Sequence, residues 1–357
     1  MRVLWLSPGF PADEQDLNCL PTVQQLARTL STQGIDLEII TLGYPFHSNP
    51  YRWHGIPVIS GYGFNRQWFR WYNWLRVLRY AQAAHQQKKF DLIHSFWLGP
   101  AWLIGRTLHA RWKIPHYRTL MGQDVLPDNL YRHFLQTHHV KRLIAVSDYQ
   151  NDVFEKTTRK RAAYTIPWGV SSAEIPDKLP DDRPIDVLGC GSFIPLKNWA
   201  LWLQVIAEIV KYRPNLRAEL IGDGVDRSVI ESLVQEAGLE HIVQLPGHLP
   251  RAEVLAKMQE SKVFLHTARF ESFGFVLVEA AMCGCRVVST PVGIAPQISV
   301  VGDTLGSLVE QTLHALDQPF LKLPETSFSM EETARKYLAL FSSPETQPPV
   351  TSLILFG

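Results

Sequence analysis

Two glutamates, Glu271 and Glu279, stand with seven residues between them in RFESFGFVLVEAAMCG, residues 269–284. Ionised carboxylates only accept hydrogen bonds, so they suit ligands rich in hydroxyls. Ser272, Phe273 and Gly274 form a predicted turn, and a helix is predicted over 275–282. Glu271 then lies in the loop and Glu279 about one turn into the helix. Backbone N–H groups at a helix start lack intrahelical partners, and the helix dipole favours anions there. Gly274 lets a ligand approach the backbone. A carboxylate at 279 could accept both hydroxyls of a ribose, and one at 271 the hydroxyls of a second sugar. Hydrogen bonds to charged groups are worth roughly 1.5–3 kcal/mol each. The plainer alternative is an acidic pair on a solvated helix. Val278 and Ala280 argue against it, because a charge among apolar neighbours needs a partner.

A second segment, GCGSFIPLKN at 189–198, runs from a strand through a glycine turn to Lys197 at a helix start. Its glycines allow close backbone approach, and Lys197 is a point charge for phosphate. The GxxxxGK[ST] loop is absent, and Ile194 stands where a dinucleotide fingerprint has its third glycine. Taken alone, a plain turn with a surface lysine fits as well. Cys283 and Cys285 are expected to be packing residues. With no HExxH and no His/Cys cluster, no metal and no other cofactor is expected.

These residues need elements to hold them. Strands are predicted over 2–6, 37–42, 91–95 and 142–147, with a helix over 22–34. A second series has strands over 185–190, 217–221, 242–245, 263–266 and 286–289. Its helices fall at 199–212, 225–237 and 331–340. Strands alternating with helices predict an α/β protein with parallel sheets. The expected organisation is two Rossmann-like, doubly wound domains facing across a cleft. They would cover 1–170 and 185–325, joined by a proline-rich, acidic linker at 171–184. A helix at 326–342 is expected to pack back toward the first domain, followed by a tail at 343–357. Open parallel sheets bind ligands beyond the carboxyl ends of their strands, so the loops after these strands should build the site.

Length and composition agree with two domains. The chain has 357 residues, and single cores stop growing near ~250–300. At 46% hydrophobic and 19% charged, a mostly disordered chain is excluded. No charge-free apolar run of ~18 residues predicts a membrane span. MRVLWLSPGF breaks at Pro8, too early for a signal peptide. Four scattered cysteines suit a reducing cytoplasm. Residues 1–170 carry 20 Lys+Arg against 11 Asp+Glu, while the remainder carries 15 against 23. That asymmetry suggests two units with different partners, although charge also varies along any long chain. In 61–89, Trp68, Phe69, Trp71, Tyr72 and Trp74 mix with Arg66, Arg70, Arg76 and Arg79. Such a helix could rest on an anionic membrane, or it could be a core-packed helix. Nucleic acid is not expected, for want of a recognition module.

With these residues in view, the chain resembles the retaining glycosyltransferases of family 4 (group 1), which have the GT-B fold. Residues 269–284 followed by RVVSTPVG resemble the family's glutamate-seven-glutamate signature and its trailing strand. GSFIPLKN resembles its phosphate loop, placing Gly191, Ser192 and Asn198 with Lys197 at the donor. LIGDG, with Gly222, and LPGHLPRAEV resemble the segments around its nucleotide-base pocket. PGFP, FDLIHSFW, GQD, AVSDYQ and IPWGV fall in family order. The resemblance implies that Glu279 binds the donor ribose. Glu271, with the backbone of Phe273 and Gly274, would hold the donor sugar, and Lys197 would neutralise the leaving diphosphate. Gly9 would sit under the donor phosphates. Asp124 and His94 would line the sugar or acceptor side. The implied activity moves a sugar from a nucleoside-diphosphate sugar to an acceptor hydroxyl with retention, by front-face attack without a covalent enzyme intermediate. Departures are Ser192 for an arginine, Met121 for a histidine, Trp168 for an asparagine and Gln297 for a glutamate. They fit a subfamily with its own donor or a weakened enzyme. Two other functions stay open: a non-catalytic sugar-nucleotide-binding protein, motivated by Ser192 and Met121, and a same-fold epimerase or phosphorylase-like enzyme.

Overall fold

The computed structural model describes residues 1–16, 19–47, 49–61, 70–170, 175, 179–324 and 328–343. It has two compact units. The first comprises Met1–Val146, Asn151–Gly169 and the chain from Met330 onward, and the second comprises Ser147–Gln150 and Val170–Ser329.

The first unit runs β1 (Arg2–Gly9), α1 (Pro21–Thr32), β2 (Asp36–Tyr44), β3 (Tyr51–Trp53), β4 (Ile56–Ser60), α2 (Arg70–Gln87), β5 (Leu92–Phe96), α3 (Pro100–Trp112), β6 (His116–Thr119), β7 (Leu143–Ala145), α4 (Asp148–Thr158) from Asn151 onward, and β8 (Tyr164–Thr165). Its sheet has the order β3-β4-β2-β1-β5-β6-β7-β8. All neighbours are parallel except the β3–β4 hairpin. Val3, Leu4, Trp5 and Leu6 of β1 are all fully buried. Such a run without alternation is what a parallel strand covered on both faces requires. Pro21 opens α1 at a position where the missing N–H costs nothing. Its buried stripe is Val23, Leu26, Ala27 and Leu30, one face of a helix.

The second unit runs β9 (Ile185–Cys190), α5 (Trp199–Val210), β10 (Ala218–Ile221), α6 (Arg227–Glu236), β11 (Val243–Gly247), α7 (Arg251–Gln259), β12 (Ser261–His266), α8 (Phe275–Met282), β13 (Arg286–Ser289), α9 (Ala295–Ile298), β14 (Val300–Val301) and α10 (Leu305–Leu316). Its six strands are all parallel, in the order β11-β10-β9-β12-β13-β14. The chain moves outward from β9 to β11, then returns to lay β12 against the other side of β9. The gap between the β9 and β12 carboxyl ends is therefore the topological switch point, where such sheets bind ligands.

The final helix, α11 (Met330–Phe341), belongs to the first unit and packs on α1. Its buried Tyr337 hydroxyl meets Thr119 Oγ1 at 2.8 Å and accepts from Trp168 Nε1 at 3.2 Å. Trp168, in the place of an asparagine, is thus a fully buried anchor for this helix. Arg183 lies near the end of the expected linker. It is 1% exposed and donates to the carbonyls of Ser261 at 2.6 Å and Cys283 at 2.9 Å. It is a fastening of the second unit, not part of a free tether. The remainder of the expected linker at 171–174 and 176–178, and the tail beyond 343, lie outside the described residues.

Candidate donor site at the β9–β12 switch point

The β9 loop reaches the switch point through Gly191, Ser192 and a short 3-10 turn over Pro195–Lys197. Asn198, in the left-handed conformation, then starts α5. Gly222, after β10, has φ of +154°, and a Cβ there would lie 2.0 Å from the Gly191 carbonyl. Only glycine permits the two strand ends to meet so closely. Ser192 is exposed, and its carbonyl accepts from Trp199 Nε1 at 3.0 Å.

The β12 loop lies beside it. The Arg269 amide donates to the Leu196 carbonyl at 2.9 Å, and Thr267 Oγ1 to the Asn198 carbonyl at 3.1 Å. These bonds hold the two loops together and bring Lys197 to Glu271. Lys197 Nζ contacts Glu271 Oε1, and His266 Nε2 lies 3.0 Å from the same oxygen. Burial acts to raise the Glu271 carboxyl, but His266 and Lys197 outweigh it and hold it down at about 2. The carboxylate is therefore ionised despite being largely shut from water.

Gly274, at φ of +93°, is the N-cap of α8. It turns the chain so that α8 starts at Phe275, as the sequence predicts. Phe273 is buried, and its carbonyl accepts from the Ile294 amide at 2.7 Å. Glu279 lies within the buried run of α8 at 8% exposure. The partner that its apolar setting demands is Arg251, the first residue of α7. Its Nη1 lies 2.5 Å from Glu279 Oε1. Burial pushes the Cys190 thiol up to about 12, with Glu279 adding to the rise and Lys197 opposing it. Glu279 and Lys197 thus both act on the end of β9.

The structure therefore gathers Lys197, Glu271 and Glu279 with Gly191, Ser192, Asn198, Gly222, Phe273 and Gly274 at one end of one sheet. Two partners, His266 and Arg251, were missed. The signal for His266 was a polar residue closing the apolar run VFLH. For Arg251 it was only the demand of Glu279 for a cation.

Gly9, Asp124 and His94 belong to the first unit. Gly9 ends β1, paired with Tyr44. His94 was expected to line the sugar or acceptor side. It is fully buried among the rings of Trp5, Phe96, Tyr337 and Phe341. Its Nε2 meets Thr119 Oγ1 at 2.8 Å, and burial holds the imidazole down at about 3, hence neutral. Asp124 was expected on the same side. Its carboxylate accepts from the amides of Leu98 at 2.8 Å, Gly122 at 2.7 Å and Met121 at 3.2 Å. It is 9% exposed, and burial pushes it up to about 6 against the pull of those amides. It organises the loops after β5 and β6 and does not present a free carboxylate. A cavity of about 910 Å³ near β14 and α10, lined by Arg286, Glu310, His314 and Leu321 among others, shares no residue with the donor site.

Comparison with known proteins shows the family and the fold. A family model described as glycosyl transferases group 1 matches residues 171–337. Another, described as glycosyltransferase family 4, matches residues 22–174. An uncharacterized glycosyltransferase of Methanocaldococcus jannaschii is 29% identical over 222 residues, 61% of this chain and 60% of that protein. The chain thus spans under two thirds of that relative. The N-acetyl-alpha-D-glucosaminyl L-malate synthase of Bacillus anthracis is 26% identical over 361 residues, covering 90% of each. The solved structure of Anabaena HepE in complex with UDP aligns with a TM-score of 0.68 at 17% identity, over 96% of this chain and 100% of that one. That likeness concerns the fold, two α/β units with parallel sheets as in GT-B glycosyltransferases. With two adjoining family models matched across residues 22–337, the chain belongs to the glycosyl transferases of group 1, family 4.

Proposed function

We propose that this protein transfers a glycosyl group from a nucleoside-diphosphate sugar to an acceptor hydroxyl, retaining the anomeric configuration. The observation that carries the reading is the meeting of Lys197 with Glu271 at the switch point, with Glu279 held by Arg251 nearby. Family membership and the UDP bound by Anabaena HepE support the same ligand class. In this reading Glu279 takes the ribose hydroxyls, Glu271 the sugar hydroxyls, and Lys197 the diphosphate.

No protein nucleophile is invoked. Lys197 stabilises the charge that develops on the leaving diphosphate, and the leaving phosphate oxygen accepts the acceptor's proton. The protein's contribution is positioning and fixed electrostatics. We assign the acceptor, whether saccharide, lipid-linked or small molecule, to the first unit, and no resident metal to the donor site.

We also place the enzyme in the cytoplasm with peripheral contact at an anionic membrane. No helix among the described residues is long and apolar enough to cross one. On α2, Tyr72 is 49% and Leu75 44% exposed, and the arginine at 79 is exposed beside them. The opposite face, Asn73, Val77, Ala81 and Ala84, is buried. Residues 62–69, with Arg66, Trp68 and Phe69, and the side chains of Arg70 and Trp71 lie outside the description. Failure to sediment with anionic vesicles would remove this part of the proposal.

The activity is tested by incubating purified protein with a nucleotide-sugar panel and an acceptor panel, and following the anomeric proton by NMR. An α-linked donor should yield an α-linked product. An inverted product would overturn retention, and donor binding without turnover of any acceptor or water would overturn the catalytic reading. The second outcome is what a non-catalytic binder would give.

A further inference from the structure

His266 makes none of the donor contacts assigned above, yet it closes β12 at the centre of the site. It is fully buried, its ring near those of Phe264 at 6.3 Å and Trp199 at 6.5 Å. Its Nδ1 has no partner among the described residues, and its Nε2 lies 3.0 Å from Glu271 Oε1. A carboxylate oxygen cannot donate, so Nε2 carries the proton and Nδ1 is bare. Desolvation outweighs the pull of Glu271, and the ring is neutral.

Lys197 and His266 both bind Oε1, and Oε2 has no protein partner among the described residues. The two anchors differ in permanence. Lys197 sits on a flexible stem in the phosphate loop, at 16% side-chain exposure, whereas the His266 side chain is at 0%. A diphosphate entering that loop competes with Glu271 for the ammonium. Glu271 would then lose its cation in a site that holds little water. A buried carboxylate stripped of partners is strongly disfavoured and takes up a proton. The one contact that can survive the exchange is the hydrogen bond from His266.

We propose that His266 is a positioning residue for the donor sugar: its Nε2–H keeps Glu271 anchored through Oε1, with Oε2 presented to sugar hydroxyls, once a donor diphosphate draws Lys197 away. The inference rests on the donor-site reading given above. It assigns His266 to recognition of the sugar and not of the nucleotide.

Two variants separate these roles. His266→Phe keeps a ring against Phe264 and Trp199 but removes the donor. His266→Gln restores an N–H near the position of Nε2. Titration calorimetry with UDP, UDP-glucose, UDP-N-acetylglucosamine, GDP and GDP-mannose reads the result. His266→Phe should bind the free diphosphate within about twofold of the wild type. It should lose about tenfold or more in affinity for the matching nucleotide sugar, the equivalent of one charge-assisted hydrogen bond. His266→Gln should recover most of that loss. Wild-type affinity for the nucleotide sugar in His266→Phe, or no recovery in His266→Gln, overturns the inference. Should His266→Phe fail to fold, imidazole ¹⁵N NMR of the wild type decides. The Nε2–H correlation should persist when the nucleotide sugar is added, and its loss overturns the proposal. A Glu271→Gln arm separates the two levels. If that variant keeps full affinity for the nucleotide sugar, the donor-site reading itself falls. If it loses affinity while His266→Phe does not, only the role of His266 falls.

Discussion

Glu271 and Glu279 have the same side chain but different surroundings. Glu271 sits in a loop between a lysine and a neutral histidine, and Glu279 on an apolar helix against an arginine. The need of Glu279 for a partner was legible in the sequence, because a glutamate between Val278 and Ala280 needs a ligand or a cation. His94 was not legible. The strand LIHSF looks the same whether its histidine faces a ligand or a core. Only the surrounding rings decide, and Trp5, Tyr337 and Phe341 come from distant segments. At this scale Lys197 carries the sharpest prediction. Lys197→Ala should lower kcat by about 10²–10³, the usual cost of removing one transition-state donor. Steady-state kinetics with a saturating donor checks it. A change confined to the donor KM would instead assign Lys197 to ground-state binding.

Elements convert these side chains into a site. The β9 and β12 loops are adjacent only because the chain reverses its direction of travel across the sheet. The alternation of strands and helices was readable from apolar runs and turn residues. The three-residue β3 and the two-residue β14 were not, since so few residues carry no period. Helix α8 began where predicted because Gly274 marks its start. Gly222→Ala tests the close meeting of β9 and β10. A side chain there must clear the Gly191 carbonyl and adopt a φ of +154°. Such backbone conformations cost about 1–3 kcal/mol. The variant should therefore melt at a lower temperature and bind nucleotide more weakly. An unchanged melting temperature would show that the two strand ends do not meet as described.

At the scale of the whole molecule, buried histidines set the response to acid. His94 is held at about 3 and His116 well below its ordinary value, in both cases by burial. Between pH 6.5 and about 3 the unfolded chain takes up protons at these positions that the folded chain refuses. Stability therefore falls as pH drops through that window, by up to about 1.4 kcal/mol per pH unit for each histidine. Asp124, pushed up to about 6, acts in the opposite sense from its ordinary 3.8 up to that value and offsets part of one histidine. Denaturant unfolding at pH 7.5, 6 and 5 should give a declining stability, with a shallower decline in His94→Gln. A pH-independent stability would contradict neutral burial. The opposite net charges of the two sequence halves have no structural counterpart as direct as these histidines. They are a property of composition that leaves the chain near neutrality overall.

Titration calorimetry of UDP-, GDP-, ADP- and dTDP-sugars against the wild type and Glu279→Ala puts the central claim to the most direct test. At least one nucleotide sugar should bind the wild type, and Glu279→Ala should weaken it by about tenfold or more, the worth of a charge-assisted hydrogen bond. Binding of none of them, or equal binding by both proteins, would contradict a donor site built from the β9 and β12 loops.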